Sequence, residues 1–332
     1  MKTHQVQQKT ERRISAALRL VFVAALLLGQ IALAFFLSTE LRQRAAIIYT
    51  VLELAAFGYA VRIYNRTDGT SYKFGWIFLV LTVPVVGLIL YFLWNGDRQQ
   101  KRLDLKKLPM PEEPEAQQAA HRIQMEKLRR KFPQWERLSV YLSRQGYLLY
   151  GDTETTYLPT GEVFLQDMLE KLEQAEHFIF LEFFIIAQGQ IWDRMEEIFR
   201  RKAAEGVEVK IIFDDFGSMM RLPAEQIEAL RESGVEVQVF NPVHHYVNRL
   251  YFNYRDHRKI VCIDGSTAYT GGANVADEYA NLTVRFGYWK DCGIRLDGPG
   301  AWGLTREFLH MWQRNGGQLM QERDHFPPPD HP

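Results

Sequence analysis

Long apolar runs dominate the first hundred positions, and a different pattern takes over after residue 140. Ala16 to Leu37 is almost wholly apolar, with Gln30 the one strongly polar residue after Arg19. About twenty such residues cross a bilayer as a helix. Ile47 to Ile63 is a second apolar run, interrupted by Glu53, whose charge would cost a few kcal/mol at mid-membrane. Phe74 to Trp94 is a third, with Trp76, Tyr91 and Trp94 placed as an aromatic belt would place them. Its Pro84 and Gly87 are compatible with a membrane helix. The pattern predicts a membrane region over 1–97 with two or three transmembrane helices, at about 16–37, 45–63 and 74–94.

Residues 98–140 are rich in charge and proline and read as an exposed linker that enters a helix near Gln117–Lys131. From there to residue 318, short β-branched and aromatic runs alternate with amphipathic stretches. Strands are expected at His177–Ile186, Val207–Phe213, Val235–Phe240, Lys259–Ile263, Thr267–Thr270 and Trp289–Leu296. Helices are expected at Phe164–Gln174, Ile191–Ala204 and Ala224–Ser233. This alternation predicts an α/β domain over 141–318, with a mostly parallel sheet flanked by helices. The Pro-rich end, 319–332, reads as a disordered tail.

The 332 residues carry 40 basic and 40 acidic side chains, a balance that argues against a free nucleic-acid binder. The two cysteines, Cys262 and Cys292, form no disulfide framework or zinc spacing. Arg98, Lys101, Arg102, Lys106 and Lys107 make the densest basic cluster beside an apolar run. By the positive-inside rule they place the α/β region in the cytoplasm, beneath an inner (plasma) membrane crossed several times. The same cluster would attract anionic head groups.

The chemistry concentrates in one strip. His257, Lys259 and Asp264 stand in the spacing HxKxxxxD, and Gly271, Gly272 and Asn274 follow on the returning strand of a hairpin. Side chains two apart on a strand share a face, so His257 and Lys259 point into one pocket. An imidazole there can attack phosphorus, and an ammonium beside it offsets charge building on the phosphate oxygens. Asp264 closes the strand at a turn with Gly265. The glycines admit backbone N–H groups close to a phosphate, and the Asn274 amide is a further donor.

This pattern resembles the HKD signature of the phospholipase D superfamily. The stretches 252–281 and 286–300 are similar to the first catalytic half of bacterial cardiolipin synthases, and 71–96 is similar to their membrane segment. Gly272 departs from the wider pattern, which often has Ser there. The resemblance implies a phospholipase D-like mixed sheet and a phosphatidyltransferase with no cofactor and no metal. It implies phosphatidylglycerol as substrate, the membrane as partner, and a phosphohistidine intermediate at His257. Family members carry two HKD motifs, one histidine attacking and the other protonating the leaving alkoxide. Of the nine histidines, only His257 has a lysine two residues on. The chain therefore looks like one half, and a second HKD half is expected from a homodimer or a separate chain. The competing expectations are a single-motif phosphodiesterase or nuclease acting as a dimer, and an inactive truncated product.

Several other residues are candidates for the site. Glu182 is a carboxylate inside a very apolar strand, costly unless paired. Asp291 and Glu278 compete to orient His257. Asp214 and Asp215, at a strand end, fit a turn or helix cap better than a metal site. His244 and His245 read as rim residues. Arg249, Arg255 and Arg258 stand close enough to the motif for phosphate recognition.

Overall fold

The computed structural model describes residues 42–66, 69–94, 115–242, 255–285 and 287–318, with short stretches between 24 and 35. It divides into two compact units, one drawn from residues 1–103 and 243–254 and the other from the remainder. The expected span at 16–37, the linker up to 114, His244, His245, Arg249 and the tail 319–332 lie wholly or largely outside the described residues.

In the first unit, α1 runs Arg42–Tyr64. Within it, Ile47–Tyr64 is the one described helix long and apolar enough to cross a membrane. Glu53 lies on its exposed side. The expected third span is not one helix. It is two, α2 at Thr70–Thr82 and α3 at Pro84–Trp94, broken where Val83 leaves the helical region (φ −133°, ψ 70°). Proline has no N–H to continue the ladder, and its ring clashes with the turn before it. α2 and α3 fold back on each other. Gly87 touches Leu79 and Val80 so closely that a Cβ would stand 2.5 Å from the Leu79 carbonyl oxygen. Ala56, Ile63, Val80 and Tyr91 form the buried core of the three helices.

The second unit opens with α4 (Glu115–Lys131) and α5 (Glu136–Arg144). Among its described residues there are seven strands, β1 (Glu154–Leu158), β2 (Phe178–Phe183), β3 (Glu208–Asp214), β4 (Glu236–Phe240), β5 (Lys259–Ile263), β6 (Thr267–Gly271) and β7 (Gly293–Asp297). They form one sheet in the order β1-β7-β6-β5-β2-β3-β4. Only β2–β3 and β3–β4 are parallel; the other four pairings are antiparallel. The sheet is therefore mixed rather than mostly parallel. Local alternation identified the β-α-β crossovers. The edge strand β1, which no expectation included, and the antiparallel pairings β2–β5 and β6–β7 join residues far apart in sequence.

α6 (Gly161–Leu172) and α7 (Gln190–Ala204) cover one face of the sheet. Leu165, Met168, Met195 and Phe199 there meet Ile179, Leu181 and Ile211 in the main core. The one-turn α8 (Asp215–Ser218) follows β3, and α9 (Ala224–Glu232) leads into β4. α10 (Ala301–Arg314) covers the opposite face, where Phe308 stacks on Phe180 with ring centroids 4.8 Å apart. This burial of many large side chains, at roughly 1.5–3 kcal/mol each, fixes the sheet that carries the motif.

Candidate active site

The chain reaches β5 through an anchored approach. Asp214, at the end of β3, caps α8 by accepting from the N–H groups of Phe216 (2.9 Å) and Gly217 (3.3 Å). Its other oxygen accepts the N–H of Asp256 at 3.0 Å. Arg255 donates to the Asn241 carbonyl at 2.9 Å and pairs with Asp214 at 3.4 Å. Asp214 thus holds the backbone just before His257, and it is the cap the residue pattern favoured.

His257 and Lys259 then emerge on the same face. The Lys259 Nζ lies 3.2 Å from His257 Nδ1 and donates to the His257 carbonyl at 2.8 Å. The imidazole is exposed, whereas the ammonium is buried. Phe184, just past β2, packs its ring 4.7 Å from the imidazole and 5.5 Å from the Lys259 Nζ. Sequence reasoning passed over Phe184 as one more residue of an apolar run. Its signal was position, because the end of a strand beside the motif strand has to border the site. Burial lowers the Lys259 ammonium to about 8, against the opposing carboxylates of Asp256 and Asp291. Burial and the Lys259 charge lower His257 from its ordinary 6.5, so the imidazole is neutral at neutral pH.

The glycine element serves a different purpose from the one expected. The Gly272 N–H donates to the Cys292 carbonyl at 3.0 Å, so it is not turned to a ligand. Its bare Cα is needed for space, since a Cβ there would stand 2.2 Å from Asp291 Oδ1. A Cβ on Gly271 would stand 2.7 Å from the Cys292 carbonyl oxygen. The departure from Ser at position 272 thus has a steric reason in Asp291. Asn274 is buried and engaged at both ends, accepting from the Ile185 N–H at 3.0 Å and donating to the Tyr279 hydroxyl at 2.8 Å. It braces the segment that carries Phe184.

Asp264 does not join the cluster. It lies at the far end of β5, where its carboxylate accepts the N–H groups of Glu176 (2.9 Å), His177 (2.8 Å) and Phe178 (2.8 Å). Glu182 is also apart. It pairs across to Ile260, one residue from the Lys259 register, and so faces the other side of the sheet. There it meets Arg258 at 2.6 Å, while burial pushes its carboxyl well above the ordinary range. Arg258 also pairs with Glu307 on α10 at 2.9 Å. Glu278 is held by Arg221 (2.6 Å) and Arg285 (3.0 Å), away from any role on the imidazole. Asp291 accepts the N–H of Cys292 at 2.8 Å and acts electrostatically on Lys259 rather than bonding to His257. Among the described residues, no group of three or more His, Cys, Asp or Glu side chains could hold a metal ion.

A mixed sheet bearing the HKD spacing at its strand ends defines a phospholipase D-like α/β domain. Residues 168–284 match the family model described as cardiolipin synthase, PLD-like domain, and residues 54–95 match that of the phospholipase D-nuclease N-terminal region. Cardiolipin synthase 2 of Bacillus anthracis is 32% identical over 260 residues, covering 78% of this chain and 50% of that protein. The major cardiolipin synthase ClsA of Bacillus subtilis is 30% identical over 282 residues, covering 80% and 56%. The α/β domain thus carries the phospholipase D-like match, and the bacterial cardiolipin synthases are similar to the chain over most of its length. It spans about half the length of the curated relatives it matches. Among solved structures, the phospholipase D family member Nuc from Salmonella typhimurium is similar at 18% identity, with a TM-score of 0.34, covering 49% of this chain and 93% of that one.

Proposed function

We propose that this chain supplies one half-site of a cardiolipin synthase-type phosphatidyltransferase. The supporting observation is the exposed neutral imidazole of His257 with the buried Lys259 ammonium 3.2 Å from it. In this reading an imidazole nitrogen attacks the phosphorus of phosphatidylglycerol. The new N–P bond replaces the bond to glycerol, which leaves after taking a proton from a second imidazole. A hydroxyl of a second phosphatidylglycerol then attacks the phosphohistidine, gives its proton back to that imidazole and forms cardiolipin. One phosphodiester is exchanged for another, so the reaction needs no external energy source. Lys259 neutralises the phosphate oxygens in both steps. The second imidazole belongs to a second HKD half, in further chain, a second copy or a partner. The site works on the cytoplasmic side of the inner membrane.

The test is lipid analysis of a cardiolipin-deficient bacterium expressing this chain, alone and with a second HKD half. Cardiolipin formed by the wild type and lost in His257→Ala is the expected result. Cardiolipin made by His257→Ala removes that residue from the role. Nucleotide release from DNA without any lipid product replaces this reading with a dimeric nuclease.

A further inference from the structure

We propose that residues 70–94 do not cross the bilayer. They form a re-entrant hairpin that enters one leaflet among its acyl chains, turns near mid-membrane and leaves by the face it entered. The inference is independent of which phosphodiester the site cleaves.

Length is the first reason. α2 has 13 residues and α3 has 11, so they are about 20 Å and about 16 Å long at 1.5 Å per residue. The hydrocarbon core is about 30 Å thick. The second reason is pairing. Gly87 lies against Leu79 and Val80, and the Trp76 and Tyr91 rings are 5.5 Å apart. Residues equally far from the Val83–Pro84 break therefore meet, which makes the two helices antiparallel neighbours.

The third reason is how the bend satisfies its backbone. The first turn of any helix leaves N–H groups without partners, and in hydrocarbon each costs several kcal/mol unless bonded. Pro84 has no N–H. The Gly87 N–H donates to the Val83 carbonyl at 2.6 Å. The Val86 N–H donates to Gln30 Oε1 at 3.0 Å. Gln30 is the fifteenth of the twenty-two residues in the apolar run 16–37, about one helical turn past its middle and well inside it. A single amide at that depth, spent on the bend of another segment, is what a turn buried in the bilayer requires. The mouth of the hairpin has the opposite character. Arg66 reaches the Tyr91 hydroxyl at 3.4 Å, and Lys73 donates to the Tyr64 and Arg66 carbonyls, both at 3.1 Å. Cations and aromatic rings belong at the membrane–water interface. Between mouth and bend, Phe74 and Phe78 are 59% and 69% exposed, as lipid-facing side chains would be.

A straight span would put residues 65 and 205 on opposite sides of the membrane, and the hairpin puts them on the same side. The test uses the full chain in sealed membrane vesicles of both orientations, with a membrane-impermeant maleimide. Asn65→Cys and, separately, Glu205→Cys are made in a Cys292→Ser background; Cys262 is buried. The expected result is that both cysteines react in the same vesicle orientation. Reaction in opposite orientations overturns the proposal. So does an Asn65→Cys site that reacts in neither orientation until detergent is added, because residue 65 would then lie inside the membrane.

Discussion

At the scale of residues, the site rests on two bases held in opposite protonation states. In the proposed reaction His257 has to be neutral to attack and Lys259 charged to hold phosphate. kcat/KM should therefore rise through a pH below the ordinary imidazole value of 6.5 and fall again through about 8. A pH–rate profile checks this, and Lys259→Arg, whose cation does not titrate there, should lose the alkaline limb. Stability moves the other way. Burial lowers the folded-state value of Lys259 beneath its ordinary 10.5, so its contribution rises as pH increases from about 8 to 10.5, where only the unfolded chain still holds the proton. At Gly272, replacement by Ser has to displace the Asp291 carboxylate. Losing that opposing charge should shift the alkaline limb to lower pH, and the same profile reads it.

Among the elements, the β5–β6 hairpin was legible because its turn announced itself. Asp264 and Gly265 both take positive φ, 51° and 68°, the conformation that Asp-Gly pairs favour in hairpin turns. The place of Asp264 at the turn was legible, but its partners and its distance from the pocket were not, because spacing cannot say which end of a strand reaches the pocket. Its three N–H bonds tie the turn before β2 to the end of β5. Asp264→Ala should thus lower unfolding free energy by about 2–4 kcal/mol, taking hydrogen bonds to a charged group at roughly 1.5–3 kcal/mol each with water repaying part. Activity per folded molecule should hold. Denaturant melts alongside active-site titration separate the two. Glu182 behaves similarly on the other face. Glu182→Ala leaves Arg258 half-buried and short of one partner, and should cost about 3–5 kcal/mol. Thermal melts should register this, with no shift in either limb of the pH profile.

Taken as a whole, the molecule joins an apolar helical unit to an α/β unit, and the two hydrophobic cores have no residue in common. A fragment of residues 115–318 should keep the circular dichroism of its mixed sheet and helices while no longer sedimenting with membranes. Loss of the fold in that fragment would mean the α/β core depends on the apolar helices. The expected half-site character also belongs to this scale, since one imidazole cannot both attack and protonate the leaving group.

The order of residues alone determined the chemistry on offer, the apolar N-terminal region and the α/β alternation, because each is written in local spacing and periodicity. It even singled out Gln30, though as an interruption rather than a cap. Only the folded molecule decided that the candidate carboxylates are engaged elsewhere than on the imidazole, why position 272 has no side chain, and that the apolar run 74–94 bends back on itself. Those outcomes depend on register across strands and on contacts between helices. Such contacts join residues dozens of positions apart, and no local pattern carries that information.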